Sequence, residues 1–155
     1  MGTLLTIDAV PRYPQVQAMI LLNVPLHPRV LPALIPRLLK LTFGKVNPDN
    51  IWEVSLARAA GVTVTKHLWQ YLGFIPRYLE LFRLCAQTRE KIASITLPCH
   101  AYFSVHDELV SMRSQRYFLK HPIVRHHILA QSGHFYYSPE DQSAIESAMA
   151  EFLIP

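Results

Sequence analysis

Two stretches decide the reading of this chain: Ser104-Val105-His106-Asp107-Glu108-Leu109-Val110 and Gln131-Ser132-Gly133-His134-Phe135. Each follows a strand-like run, Leu97 to Ser104 and Val124 to Ala130. Each precedes a helix-like run, Met112 to Leu119 and Pro139 to Leu153. Open α/β folds present their working groups at such junctions, on loops beyond the carboxyl ends of the strands. Neighbouring parallel strands lie ~4.8 Å apart, so loops at the same ends of two of them bring Asp107 and His134 within hydrogen-bond reach. The carboxylate would then accept from one ring nitrogen, fix the tautomer and leave the other nitrogen as a base. An acid followed by a histidine, late in a chain, is the second half of a Ser…Asp…His relay. The first half, a nucleophile on a G-x-S-x-G turn, occurs nowhere in the 155 residues.

Outward from these loops the chain alternates. Thr3 to Tyr13 is in helical register from its start, with Leu4, Leu5, Ala9 and Val10 on one face, and no N-cap residue precedes it. Val16 to Asn23 is short and nearly all apolar, as in a parallel strand buried on both faces. Pro76 to Ile92 predicts a helix with Tyr78, Leu79, Phe82, Cys85 and Ala86 inward. The last helix has Ser138 as N-cap, Pro139 at its first position, and Ile145, Ala148, Met149 and Phe152 inward. The mixed alternation of Val124 to Ala130 suggests a more exposed strand. Strands separated by helices demand a parallel sheet with crossover helices.

Between Pro25 and Gly73 the character changes. Pro25, Pro28, Pro32 and Pro36 break the first part, and Leu31 to Phe43 is apolar and helical. Asn47-Pro48-Asp49-Asn50 is a turn and cap before a helix over Ile51 to Ala60, and Thr65 to Tyr71 is aromatic-rich. An apolar helical insertion in a strand–helix alternation reads as a lid over a pocket. The plainer reading is a helical subdomain. The division is thus 1–24 and 74–155 as an α/β core, with 25–73 as the cap.

Composition narrows the function. Half the residues are apolar and 17% are charged, which excludes a disordered chain. The net charge of +4 comes from scattered Lys and Arg with no basic run interleaved with aromatics, which argues against a nucleic-acid partner. Cys85 and Cys99 have no metal-ligand spacing, so neither a metal nor a cofactor is expected, and reduced thiols point to the cytoplasm. Met1 leads into Gly-Thr-Leu-Leu-Thr with no basic segment of a signal peptide. No apolar run reaches the ~18 residues of a spanning helix.

The whole pattern resembles the C-terminal part of α/β-hydrolase-fold enzymes, particularly small carboxylesterases and monoacylglycerol-lipase-like members. Ile95-Thr96-Leu97-Pro98-Cys99 through Val110 is similar to the family's acid strand and loop, and Ser132-Gly133-His134 to its histidine loop. Pro139-Glu140-Asp141 is similar to the start of its last helix. The resemblance covers essentially the whole chain, and its motifs specify fold more strongly than substrate. It implies a partial α/β-hydrolase fold: the family's last three strands in a parallel sheet, flanking helices and a helical lid. It also implies catalytic roles for Asp107 and His134 and a small-molecule ester substrate with an apolar moiety. The family's nucleophile turn often reads Gly-His-Ser-Met-Gly. Met1-Gly2 matches the pair directly after that Ser, so the resemblance makes the backbone N–H of Met1 an oxyanion donor. One departure is local: the family usually has a Gly shortly before the acid, where Val105-His106 stand here.

Ser104, Ser111, Ser114, Ser132 and Ser138 offer no Gly-flanked elbow, and Cys99 lies on a strand. Residues 1–155 alone are therefore expected to show little or no ester hydrolysis, and relatives of this fold also use Asp or Cys as nucleophile. An alternative is a non-catalytic hydrolase-like domain that self-associates through an open apolar sheet edge at Val16 to Asn23. A third reading makes Met1 a misassigned start or the edge of a fragment.

Overall fold

The computed structural model describes residues 1–29, 46–59, 73 and 75–153. The helix expected for Leu31 to Phe43 and the aromatic-rich run Thr65 to Tyr71 lie outside the described residues.

Three strands, β1 (Met19–Leu22), β2 (Cys99–Ser104) and β3 (Val124–Leu129), pair in parallel in that order. Met19 is opposite Cys99, and Cys99 is opposite Val124. All six residues of central β2 are buried. β1 starts later than its apolar sequence suggests. The Met19 N–H donates to the Pro98 carbonyl at 2.9 Å, and Pro98, with no N–H to return, ends the ladder there.

Period-2 alternation sorts the strand side chains onto two faces. Met19, Leu21, Cys99, Ala101, Phe103 and Val124 form one core with Leu4 and Ile7 of α1 (Gly2–Ala9). Among the described residues four α-helices lie outside the sheet: α1, α2 (Ile51–Ala59), α3 (Ile75–Lys91) and α4 (Pro139–Leu153). Cys85 of α3 joins the first core, and its thiol donates to the Pro25 carbonyl at 2.8 Å. On the opposite face Tyr102 and Leu129 meet Ala148 of α4, flanked by Ile20, Leu22, Tyr137 and Ile145. The result is three layers, helices on both sides of a parallel sheet, as the alternation requires.

Two caps follow the sequence. The Asn50 Oδ1 accepts from the N–H groups of Trp52 and Glu53 at 3.1 and 3.3 Å and starts α2. The Ser138 Oγ accepts from the Asp141 N–H at 3.2 Å and starts α4. Met1 precedes α1 with no side-chain cap bond.

Three helix faces differ from the sequence expectation. On α3 the inward residues are Leu81, Leu84, Cys85 and Thr88, whereas Tyr78, Leu79, Phe82 and Ala86 are exposed. Both sides of this helix carry apolar residues, so periodicity alone could not choose between them. Thr88 can be buried because its hydroxyl donates to the Leu84 carbonyl one turn back, at 2.8 Å. On α1 the buried pair is Leu4 and Ile7, with Leu5 exposed. On α4 Ala148 is buried and Met149 exposed. Both helices cover a narrow sheet, so one stripe of each suffices. Among the described residues no helix is long and apolar enough to cross a membrane.

Candidate active site

The carboxyl ends of the three strands converge. After β2 the chain turns at once: the Val105 N–H donates to the Leu129 carbonyl at 3.0 Å, and the Asp107 N–H to the Ser104 carbonyl at 3.3 Å. This turn points Asp107 inward, where it is 1% exposed. Its Oδ1 accepts from the backbone N–H groups of Leu109 and Val110 at 2.7 and 2.6 Å. Its Oδ2 lies 2.9 Å from Nδ1 of His134. Asp107 thus caps its own loop with one oxygen and holds the histidine with the other.

Where the carboxylate is ionised it can only accept, so the shared proton sits on Nδ1, and a neutral ring then keeps its lone pair on Nε2. The His134 side chain is 30% exposed, so one side of the ring is open while its partner is sealed. The fold therefore brings together Asp107 and His134, the two residues picked out from the sequence.

Glu108, next in sequence to Asp107, also reaches the histidine loop. It is buried, and its Oε2 accepts from the backbone N–H of His134 at 3.0 Å. Two successive carboxylates hold one histidine, the first by its ring and the second by its main chain. Gly133 is required by close approach. A Cβ there would stand 2.7 Å from Trp52 Cζ3, 3.1 Å from Glu108 Oε2 and 3.2 Å from the His106 carbonyl oxygen. Trp52 of α2 packs on both site loops, its ring centroid 5.3 Å from that of His106 and 5.4 Å from that of Tyr136. A cavity of about 280 Å³ opens beside the acid, lined by Arg29, Trp52, Val105, His106, Asp107 and Glu108.

The histidine loop is also tied to α4. The Ser132 hydroxyl donates to Asp141 Oδ2 at 2.6 Å and accepts from the Ser138 N–H at 3.1 Å. Tyr137 lies behind the loop. Burial and then the negative charge of Asp107 push its hydroxyl pKa up, opposed by a hydrogen bond from Asn23.

The five serines weighed as internal nucleophiles hold structural bonds. Ser104 bonds Asn23, Ser111 caps Arg113, and Ser114 accepts from the His27 N–H. Ser132 and Ser138 fix the start of α4. Cys99 is buried, and burial pushes its thiol up to about 12. Met1 is exposed at the head of α1, and its carbonyl accepts from the Leu4 and Leu5 N–H groups; among the described residues no hydrogen bond joins it to the Asp107–His134 pair. Among the described residues no group of three metal-ligating side chains comes together.

No protein-family model matches the sequence, and no curated protein does. Solved structures do match its shape. The enol-lactonase from Burkholderia xenovorans LB400 superposes over 100% of this chain with a TM-score of 0.53 at 15% identity. A metagenome-derived lipolytic enzyme, described with the pair LipS and LipT, superposes over 97% with a TM-score of 0.55 at 18% identity. The fold is that of the α/β-hydrolases. The chain spans 63% and 60% of the length of those two structures, so it holds part of the fold.

Sequence reasoning passed over Asn23 and the part played by Glu108. A polar residue closing the apolar run Met19-Ile20-Leu21-Leu22, just where the strand must end, was the available signal for the first. The second had none, because it depends on a contact 26 positions away.

Proposed function

We propose that Asp107 and His134 are the acid and base of a hydrolase acting on carboxylic esters that carry an apolar group. The observation that carries this is the 2.9 Å contact between a sealed carboxylate and the Nδ1 of a half-open imidazole. With Nδ1 anchored, Nε2 can take the proton of an attacking hydroxyl and return it to the leaving alkoxide, while Asp107 stabilises the imidazolium between the two steps. The nucleophile is not among residues 1–155, and the Met1 N–H is the oxyanion donor next to it. The ester-processing neighbours of the same fold favour this chemistry.

The apolar preference rests on residues 25–73 as a lid. Trp52 supports that reading because it reaches both site loops. Two buried, unpaired thiols suit a reducing, cytoplasmic setting. The test is turnover of a short-chain chromogenic ester by a polypeptide that carries residues 1–155 together with the residues encoded upstream in the same frame. Turnover abolished by His134→Ala supports the reading; turnover indifferent to it ends the reading.

A second reading, a non-catalytic domain acting through self-association, is favoured by the place of β1 at an edge of the described sheet. Its register with β2 turns the main-chain groups of Ile20 and Leu22 away from the partner strand. Sedimentation decides it: a monomer at tens of micromolar and beyond removes the motive.

A further inference from the structure

We infer that Asn23 is the positioning residue that sets the Asp107–His134 contact, a latch acting on both loops from the end of a third strand. The inference rests on the acid–base reading of that pair. Asn23 is 4% exposed and sits directly after the last residue of β1. Among the described residues it is the one non-glycine with positive φ, at 48°. That conformation is sparsely populated, and asparagine tolerates it better than most side chains. A buried residue kept there has to be held by its surroundings.

Its bonds show what holds it. The main-chain N–H donates to the Tyr102 carbonyl at 2.9 Å and completes the β1–β2 ladder. The Oδ1 accepts from the Ser104 N–H at 2.7 Å. The Nδ2 lies 3.0 Å from the Ser104 Oγ, 3.2 Å from the Tyr137 hydroxyl and 3.3 Å from the Gly133 carbonyl. One amide therefore touches the residue whose carbonyl turns the chain into Asp107, and the residue directly before His134. It also touches the tyrosine just before the cap of α4.

Chemistry restricts what can stand at this position. The side chain must accept from one N–H and donate to a carbonyl on the other side. A carboxylate would set negative charge against the Gly133 carbonyl, and an aliphatic side chain would leave the Ser104 N–H unpaired. Neither Asp107 nor His134 is touched directly, so the effect of Asn23 passes through Ser104 and Gly133.

The readout is the Nδ1–H proton of His134 in the 155-residue chain, seen as a far-downfield imidazole resonance by proton NMR and assigned by its loss in Asp107→Asn. In Asn23→Gly, which accommodates the same φ and removes only the amide, the resonance is expected to be lost or broadened into exchange. Far-UV circular dichroism and the amide peaks of α1 are expected to stay in place. Asn23→Asp is expected to behave like the glycine variant. A downfield proton unchanged in both variants overturns the latch while leaving the pair intact. A folded unsubstituted chain with no such proton overturns the pair and the latch together.

Discussion

Two regions of this molecule hold histidine against the sheet, and they are built in opposite ways. At the carboxyl ends of the strands, His134 has its Nδ1 on Asp107 and its main chain on Glu108, and both carboxylates are sealed. Under α4, on a face of the same sheet, His100 and His127 stack with ring centroids 5.0 Å apart, and His127 stacks on Tyr102 at 4.5 Å. Among the described residues the His100 Nδ1 and His127 Nε2 are buried without a hydrogen-bond partner, and the Phe152 ring closes on His100 at 4.9 Å. Burial lowers the pKa of both stacked histidines. Glu151 pulls each back up, while Arg125 presses each further down. A satisfied polar network fixes one geometry. The stacked rings are held by aromatic packing, with His100 Nε2 3.9 Å from a Glu151 carboxylate oxygen. The same residue type thus meets a carboxylate in one place and an aromatic stack in the other.

The contrast breaks most visibly at Asp107. Replacement by Ala leaves the Leu109 and Val110 N–H groups and the His134 ring without their acceptor, at an expected cost of roughly 3–5 kcal/mol. Asn keeps a carbonyl for the two N–H groups and is expected to cost less than half of that. Urea denaturation checks the difference, and equal midpoints for the two variants would contradict the double use of the carboxylate. Next comes Gly133→Ala, whose methyl would meet Trp52 and the His106 carbonyl. Overpacking of this kind is expected to cost about 1–3 kcal/mol, with loss of the His134 contact. A variant as stable as the unsubstituted chain would show that the loop has room to move.

A smaller effect sharpens the other side of the comparison. Burial sets the folded pKa values of the stacked histidines below the ordinary value of about 6.5. Below that value the unfolded chain binds more protons than the folded one, so their contribution to stability is lost as pH falls towards the lowered folded values. The urea midpoint should therefore drop on acidification from about pH 7 to about pH 5. His127→Phe, which keeps a ring on Tyr102, should flatten that slope; an unchanged slope would assign the acid sensitivity elsewhere. Smallest is a null effect at the thiols. Burial pushes Cys99 up to about 12 and raises Cys85. Neither should react with a thiol reagent at neutral pH until denaturant is added, and rapid labelling of the folded chain would count against the core as described.

The fold was largely legible because its signals are local. Apolar runs of strand length and the Ser138-Pro139 helix start each act within a few residues. The pairing of Asp107 with His134 was legible too, because consecutive parallel strands place equivalent loops side by side. Helix facing was not. Tyr78, Leu79 and Phe82 are as apolar as the residues on the buried side of α3, and only the position of the sheet selects between them. Histidine roles were equally hidden: nothing around His100 or His127 in the sequence separates a stacked core ring from a base. Asn23 was missed for a related reason, since its bonds span 81, 110 and 114 positions.

The central claim is that His134, oriented by Asp107, activates a nucleophile outside these 155 residues. Labelling with a fluorophosphonate tests it most directly, because that reagent couples only to an activated hydroxyl. On a polypeptide extended by its upstream coding sequence, mass spectrometry should place one label before residue 1, and His134→Ala should abolish it. Residues 1–155 alone should take no label. A label within residues 1–155, or one that survives His134→Ala, would contradict the account.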